Sequence, residues 1–250
     1  MKDPLIELSN NGKLLVVTDI HGNLKDFNKY IKIWESGEHE YFVFTGDLIH
    51  AMDLKEDGSV EIIYKVRDLL KSEKNIYLLL GNHEWSVITG IPIYKGGINL
   101  TIMFERLLKS KFGDGWKEIL DEFKTFFKKF HLAVRTSNKV FISHAGPSRY
   151  IESIEDIMKV KDYDDPILYE LIWNRYGDYS LSDIDRFLEK VGCNAMVVGH
   201  TPVNGVELIG KKQMILSSSF SLGKKAYLSL NLESEVKNAI DLLKYVKFIN

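Results

Sequence analysis

Five short apolar runs each break off at a glycine beside aspartate, histidine or asparagine. They are LLVVT (14–18) before DIHGN, YFVFTGDL (41–48), IYLLLGNHE (76–84), KVFISHAG (139–146) and NAMVVGHTP (194–202). A short apolar run closed by a glycine turn reads as a buried strand, and in open α/β sheets ligands sit at the carboxyl ends of such strands. Between the first three runs lie NLKDFNKYIKIWES, with Leu24, Phe27, Tyr30, Ile31 and Trp34 at helical spacing, and the amphipathic VEIIYKVRDLLKS (60–72). The order is βαβαβ, which predicts a parallel core with right-handed crossovers.

The rest of the chain is placed around that core. Residues 98–130 are dense in Leu, Phe, Trp and Lys at helical spacing and are broken by FGDG at 112–115, so a helical hairpin is expected there as a cap-like insertion. ELIG, QMILSSS and KAYLSLNL read as antiparallel strands, and EVKNAIDLLKYVKFI (235–249) as a helix with Val236, Ile240, Leu243 and Val246 on one face. With 250 residues and 45% hydrophobic content, one domain spanning 1–250 is the expectation.

Charge and composition exclude several classes. Lys plus Arg (33) nearly balances Asp plus Glu (35), so there is no basic footprint for a nucleic-acid backbone. The start, MKDPLIELSNNGK, has no apolar core behind a basic end, and no window approaches eighteen apolar residues; a cytoplasmic protein that neither enters nor crosses a membrane is expected. Cys193 stands alone and reads as a packing residue. FKTFFKKF (123–130) reads as a helix burying Phe with Lys stems outward, and IESIEDIMKVKDYDDP (151–166) as a solvated acidic face or mobile loop. Nothing indicates the oligomeric state.

The polar residues at the five strand ends are Asp19 and His21, Asp47, Asn82 and His83, His144, and His200, which take in four of the seven histidines. Carboxylate oxygen, imidazole nitrogen and amide oxygen together suit borderline divalent metals such as Mn, Fe or Zn, and the lack of cysteine ligands argues against a structural zinc site. Flanking glycines let backbone and ligand approach closely, and burying so many polar groups without a cation would be costly.

DIHGN, TGDLI, LLLGNHE, ISHAG and VVGHT, in this order, resemble the signature of the calcineurin-like metallophosphoesterases. More narrowly, they resemble the phosphoprotein phosphatases, which include serine/threonine phosphatases and diadenosine tetraphosphatases. The resemblance implies an α/β fold of two packed mixed β-sheets flanked by helices, a four-layer αββα arrangement. It implies two divalent metal ions, manganese first with Fe, Zn or Ni as alternatives. One would be held by Asp19, His21 and Asp47, the other by Asp47, Asn82, His144 and His200. Asp47 would bridge, a metal-bridging hydroxide would be the nucleophile, and His83 would protonate the leaving alcohol. Glu84, to which the resemblance assigns no metal, would brace the loop.

The sequence departs from the family where GDxVDRG is usual. GDLIHAMD puts His50, Ala51 and Met52 in place of the aspartate that orients the acid histidine, the arginine that grips phosphate, and the glycine. Compensation is expected from His50, contacting the phosphoryl group or His83, from Asp53 or Lys55 in the same loop, from Arg175 in LIWNRY, and from Arg149 just past HAGP. The expected activity is hydrolysis of a phosphorylated protein or a small phosphoester, with a serine/threonine protein phosphatase as the favoured label. The rivals are a dinucleoside polyphosphate hydrolase or phosphodiesterase, and a metal-binding scaffold without turnover.

Overall fold

A computed structural model describes residues 1–250 apart from 2, 10, 52–55 and 250. The chain runs β1 (Leu5–Leu8), β2 (Lys13–Val17), α1 (Leu24–Glu35), β3 (Tyr41–Phe44), α2 (Ser59–Ser72), β4 (Ile76–Leu78) and α3 (Asn82–Thr89). A short hairpin of β5 (Tyr94–Lys95) and β6 (Ile98–Asn99) leads into α4 (Leu100–Phe112) and α5 (Trp116–Phe127). Then come β7 (Ala133–Thr136), β8 (Val140–Ser143), α6 (Ile154–Met158), α7 (Pro166–Trp173), α8 (Leu181–Lys190) and β9 (Ala195–Val198). β10 (Val206–Ile209), β11 (Gln213–Leu216), β12 (Lys225–Asn231) and β13 (Val246–Ile249) complete the order.

Two sheets result. One has the order β13-β12-β2-β3-β4, the other β1-β7-β8-β9-β11-β10. β2, β3 and β4 are parallel, as the βαβαβ pattern requires, and β8, β9 and β11 are parallel in the second sheet. The antiparallel strands are split between sheets: β10 pairs β11, while β12 pairs β2.

Alternation along the strands explains why the runs are apolar at every position. Leu14, Val16, Val43, Val140, Ile142, Val197, Leu228 and Leu230 belong to one core cluster. Their neighbours Leu15, Val17, Phe42, Phe44, Phe141, Met196 and Val198 belong to another, which also holds the buried faces of the helices. With a side-chain period of two, each strand feeds both clusters, so the sheets stack face to face with helices outside. Fully burying one such Leu or Phe contributes about 1.5–3 kcal/mol.

Four regions differ from the sequence reading. The 76–84 run is strand only to Leu78, and Asn82, His83 and Glu84 form the first turn of α3, behind Gly81. The 235–249 segment is not an α-helix. Asn238 caps a 3₁₀ turn over Ala239–Tyr245, Ile240 and Leu243 stay 44% and 41% exposed, and β13 pairs the free side of β12. A sheet edge with unpaired backbone groups outweighed the helical spacing. The 151–166 segment keeps the expected solvated face at Glu152, Glu155, Lys159, Asp162 and Asp164, but its other face is core, because Ile151, Ile154, Ile157 and Val160 are buried. Finally, β1 and β7, which the sequence reading did not anticipate, pair in parallel at one edge.

FKTFFKKF does bury its Phe residues: Phe123, Phe127 and Phe130 are at or near zero exposure. Cys193 is buried, and burial pushes its thiol up to about 12, which leaves it inert. No helix among the described residues is long and apolar enough to cross a membrane.

Candidate metal centre

The strand ends of both sheets converge. Asp19 and His21 follow β2, Asp47 follows β3, and Asn82 and His83 open α3 after β4. His144 and His200 follow β8 and β9 of the other sheet. Asp47 lies at the centre: its Oδ2 is 3.4 Å from His144 Nε2 and 3.8 Å from both His21 Nε2 and His83 Nε2. Two groups of donors fall within metal-binding reach, His21–Asp47–His83 and Asp47–His144–His200, with Asp47 common to both. His21 Nε2 is also 4.0 Å from Asp19 Oδ1, and Asn82 Oδ1 is 3.0 Å from His144 Nε2.

The tautomers explain why such a set suits a cation. His144 Nδ1 donates to the Thr45 carbonyl at 3.0 Å, and burial holds this imidazole down to about 3. A neutral ring with its proton at Nδ1 has only a lone pair at Nε2, and that lone pair meets Asn82 Oδ1 and Asp47 Oδ2. His21 Nδ1 is likewise directed at the Ile49 carbonyl, 3.3 Å away, which turns Nε2 toward Asp19 and Asp47. Facing lone pairs repel unless a proton or a metal ion lies between them, and carbonyl-oriented imidazoles are the usual support of metal ligands.

The carboxylates show the same frustration. Burial raises Asp19 to about 7, against lowering by the His200 backbone N–H and by Arg175. Asp47 is raised as well, by burial first and then by Glu84 and Asp19. Arg175 offsets these shifts only in part, and a cation between the carboxylates would relieve the remainder.

The loops are shaped tightly to bring these groups together. Among the described residues seven non-glycine positions have positive φ, and five of them are Asp19, His21, Asp47, His50 and His200. Backbone strain of this kind persists where the surroundings over-determine it. A Cβ built on Gly81 would fall 2.2 Å from Asp47 Oδ1, and one on Gly199 2.0 Å from Asp19 Oδ2. Only glycine lets these carboxylates in. Glu84 braces its loop, accepting from the backbone N–H groups of Asp47 (2.9 Å) and Leu48 (2.8 Å).

The expected substrate cations are placed differently from one another. Arg175 lines a 260 Å³ cleft over Asp19, Asp47, Asn82, His83 and His200, and its backbone N–H donates to Asp178. Arg149 does not line that cleft; its guanidinium is paired with Glu170 at 3.3 Å. His50 does not line it either, being buried behind His83 with their Nδ1 atoms 2.9 Å apart. Asp53 and Lys55 lie outside the described residues. The sequence reading missed the remaining walls, among them Tyr94, Lys95, Trp173 and Phe220. Trp173 was two residues from Arg175 in LIWNRY, and Phe220 ends the SSSF run after β11, but neither carries a chemical signal by itself.

A family profile for calcineurin-like phosphoesterases matches residues 12–215. The chain belongs to this family. An Encephalitozoon cuniculi protein named as a probable serine/threonine-protein phosphatase is 24% identical over 91% of this chain, which spans 52% of that relative's length. Two solved structures share the fold. A Saccharomyces cerevisiae protein serine/threonine phosphatase superposes with a TM-score of 0.71 at 21% identity, over 91% of this chain and 76% of that one. A cold-active protein-tyrosine phosphatase of a Shewanella species gives 0.63 at 18%, over 92% and 79%.

Proposed function

We propose that this chain is a metal-dependent phosphoester hydrolase of the phosphoprotein phosphatase type, acting on phosphate monoesters of proteins. The serine/threonine label follows the Encephalitozoon cuniculi relative. The observation that carries the reading is the position of Asp47 Oδ2, within 3.8 Å of three imidazoles drawn from both sheets. In this reading Asp19, His21 and Asp47 hold one cation, and Asp47, Asn82, His144 and His200 hold a second, manganese before Fe, Zn or Ni. Bound there, two divalent cations would polarise phosphoryl oxygens and acidify a water shared between them.

The chain's own residues supply the rest. His83, adjacent to the ligand Asn82, donates a proton from Nε2 to the leaving oxygen, and His50 fixes its ring through Nδ1. Arg175, at the cleft, pairs with the non-reacting phosphoryl oxygens, the role that Ala51 gives up in this chain. Glu84 keeps Asp47 in place without touching substrate. The α4–α5 hairpin is an insertion within a single catalytic unit.

The test is a panel of purified protein reconstituted with Mn, Fe, Zn, Ni or Mg. It is assayed on a chromogenic monoester, a diester, phosphopeptides and a dinucleoside polyphosphate. Turnover of monoesters and phosphopeptides is expected. Two bound metals with no turnover of any substrate would leave a metal-binding scaffold instead.

A further inference from the structure

Arg175 lines the cleft but is an exposed residue, so packing does little to aim its long side chain. The backbone on either side of it is fastened instead. α7 ends at Trp173, and Asn174 turns the chain extended (φ −63°, ψ 130°), its N–H closing the helix on the Glu170 carbonyl at 3.1 Å. From there Asn174 reaches across to the loop that follows the candidate ligand His144. Its Nδ2 donates to the Pro147 carbonyl at 2.9 Å, and its own carbonyl accepts from the Gly146 N–H at 3.3 Å. Two more bonds fasten the same loop to α7: the Ala145 N–H donates to the Leu171 carbonyl at 2.8 Å, and Ser148 Oγ donates to Glu170 Oε2 at 2.9 Å. Helix and loop form one braced unit, and Asn174 is its last tied point before Arg175.

On its other side Arg175 opens a tight turn. Its N–H donates to Asp178 Oδ2 at 2.8 Å, and its carbonyl accepts from the Asp178 N–H at 2.8 Å, with Gly177 at a φ of +116° inside the turn. This reciprocal pair fixes the peptide groups before and after Arg175. The charge so held reaches the donors of both sheets. Burial dominates the shifts of Asp19, Asp47, His144 and His200, and Arg175 lowers all four.

We propose that Asn174 and Asp178 are positioning residues that aim Arg175 at the phosphoryl group, Asn174 by registering it to the His144 loop and Asp178 by locking its turn. The assignment rests on Arg175 being the phosphate grip of the hydrolase reading. Neither positioning residue lines the cleft, and among the described residues Arg175 is the only arginine that does. Misplacing such a group by about 1 Å can cost 10²-fold, and no second guanidinium stands by to make good the loss.

Calorimetry with inorganic phosphate on manganese-loaded protein reads the grip without turnover. Asn174→Ala and Asp178→Ala should each weaken phosphate about 3- to 10-fold, the usual effect of one hydrogen bond, with metal content unchanged by elemental analysis. Asp178→Asn keeps an acceptor oxygen for the Arg175 N–H and should restore most of the affinity. Combined with Arg175→Ala, neither alanine change should weaken phosphate further, because a residue that acts through Arg175 then has nothing left to aim.

Equal losses with and without Arg175→Ala would overturn the assignment. So would phosphate affinity unmoved by Arg175→Ala, or a loss of metal that tracks the loss of phosphate, which would trace the effect of Asn174 to the His144 loop alone. An Asp178→Asn protein as weak as Asp178→Ala would overturn the part given to Asp178. Asp178 is exposed, so its variants keep the test available should Asn174→Ala fail to fold. The predicted non-additivity in a protein that turns over no phosphoester would overturn the hydrolase reading while leaving the aiming of Arg175 in place.

Discussion

The Nδ1 atoms of His50 and His83 lie 2.9 Å apart, so one ring donates and the other accepts, while His83 Nε2 is 3.8 Å from Asp47 Oδ2. For His83 to deliver a proton from Nε2, His50 has to accept at Nδ1. An imidazole does this without contributing negative charge. His50→Asp should therefore raise turnover of alkyl phosphates relative to nitrophenyl phosphate, and His50→Ala should lower the same ratio. Leaving-group series on the three proteins, with metal content equalised, check this. Identical slopes would mean that His50 only packs.

His83→Asn should retain the bound metals and lose about 10²–10⁴ in kcat, the usual contribution of a positioned acid. The loss should be smallest for good leaving groups. Equal losses on nitrophenyl phosphate and a phosphoserine peptide would remove the proton-donor role.

Arg175 lines the cleft and lowers Asp19 electrostatically, so its charge reaches the site. Arg175→Ala should cost about 10- to 150-fold in kcat/KM, comparable to losing a hydrogen bond to a charged group. Ala51→Arg should move monoester turnover the other way. An Arg175→Ala protein as active as the parent on every substrate would mean that phosphate is gripped elsewhere.

Metal removal should reshape the pH dependence of stability. Burial lowers His39, His50, His83, His144 and His200, so between their unfolded 6.5 and folded values such as about 3 for His144 the unfolded chain binds more protons. Stability is then lost as pH falls below about 6.5. Burial raises Asp19 from 3.8 to about 7, and raises Asp47 and Glu84, so there the folded chain binds more protons and stability is lost as pH rises toward and past 7. These imidazoles and carboxyls oppose one another below 6.5, and the carboxyls alone act above it, so the metal-free protein should lose stability as pH rises past 6.5. Manganese should extend the plateau upward, and its binding should release protons below about pH 7. Melting curves with and without a chelator from pH 5 to 9 check both; coincident curves would rule out a cation at these carboxylates.

Gly199→Ala would put a methyl 2.0 Å from Asp19 Oδ2. Asp19 has to move, and displacement of a catalytic group by about 1 Å can cost 10²-fold. Elemental analysis should show weakened retention of one metal, with activity down by about that factor. Full activity and full metal content would mean that Asp19 is not a ligand.

The two-sheet fold and the convergence of the candidate ligands were both legible in the sequence, whereas the edges of the fold were not. Asp19, His21, Asp47, Asn82, His83, His144 and His200 announced themselves because each ends a run that is apolar at every position, a pattern only a strand between two buried layers requires. The 235–249 segment misled because Val236, Ile240, Leu243 and Val246 keep helical spacing, whereas its final pairing depends on the vacant side of β12, which no local pattern reveals. His50 was read as contacting either the phosphoryl group or His83, because position alone could not say which way its ring turns; the structure turns it to His83. Tyr94 and Trp173 were missed for a related reason. An aromatic residue looks the same in sequence whether it fills a core or walls a cleft.

The candidate donors divide between the sheets, with Asp19, His21, Asp47 and Asn82 following strands of one and His144 and His200 strands of the other. A cation held by both halves would act as a rivet through the stack. Sliding one sheet by a single residue repeat, about 3.3 Å, would pull imidazole and carboxylate out of shared reach. The spacing of the two layers is thus gauged at the one place where chemistry depends on it, and a substitution deep in the Leu14–Val16–Ile142–Val197 interface can disable the protein without touching a polar atom.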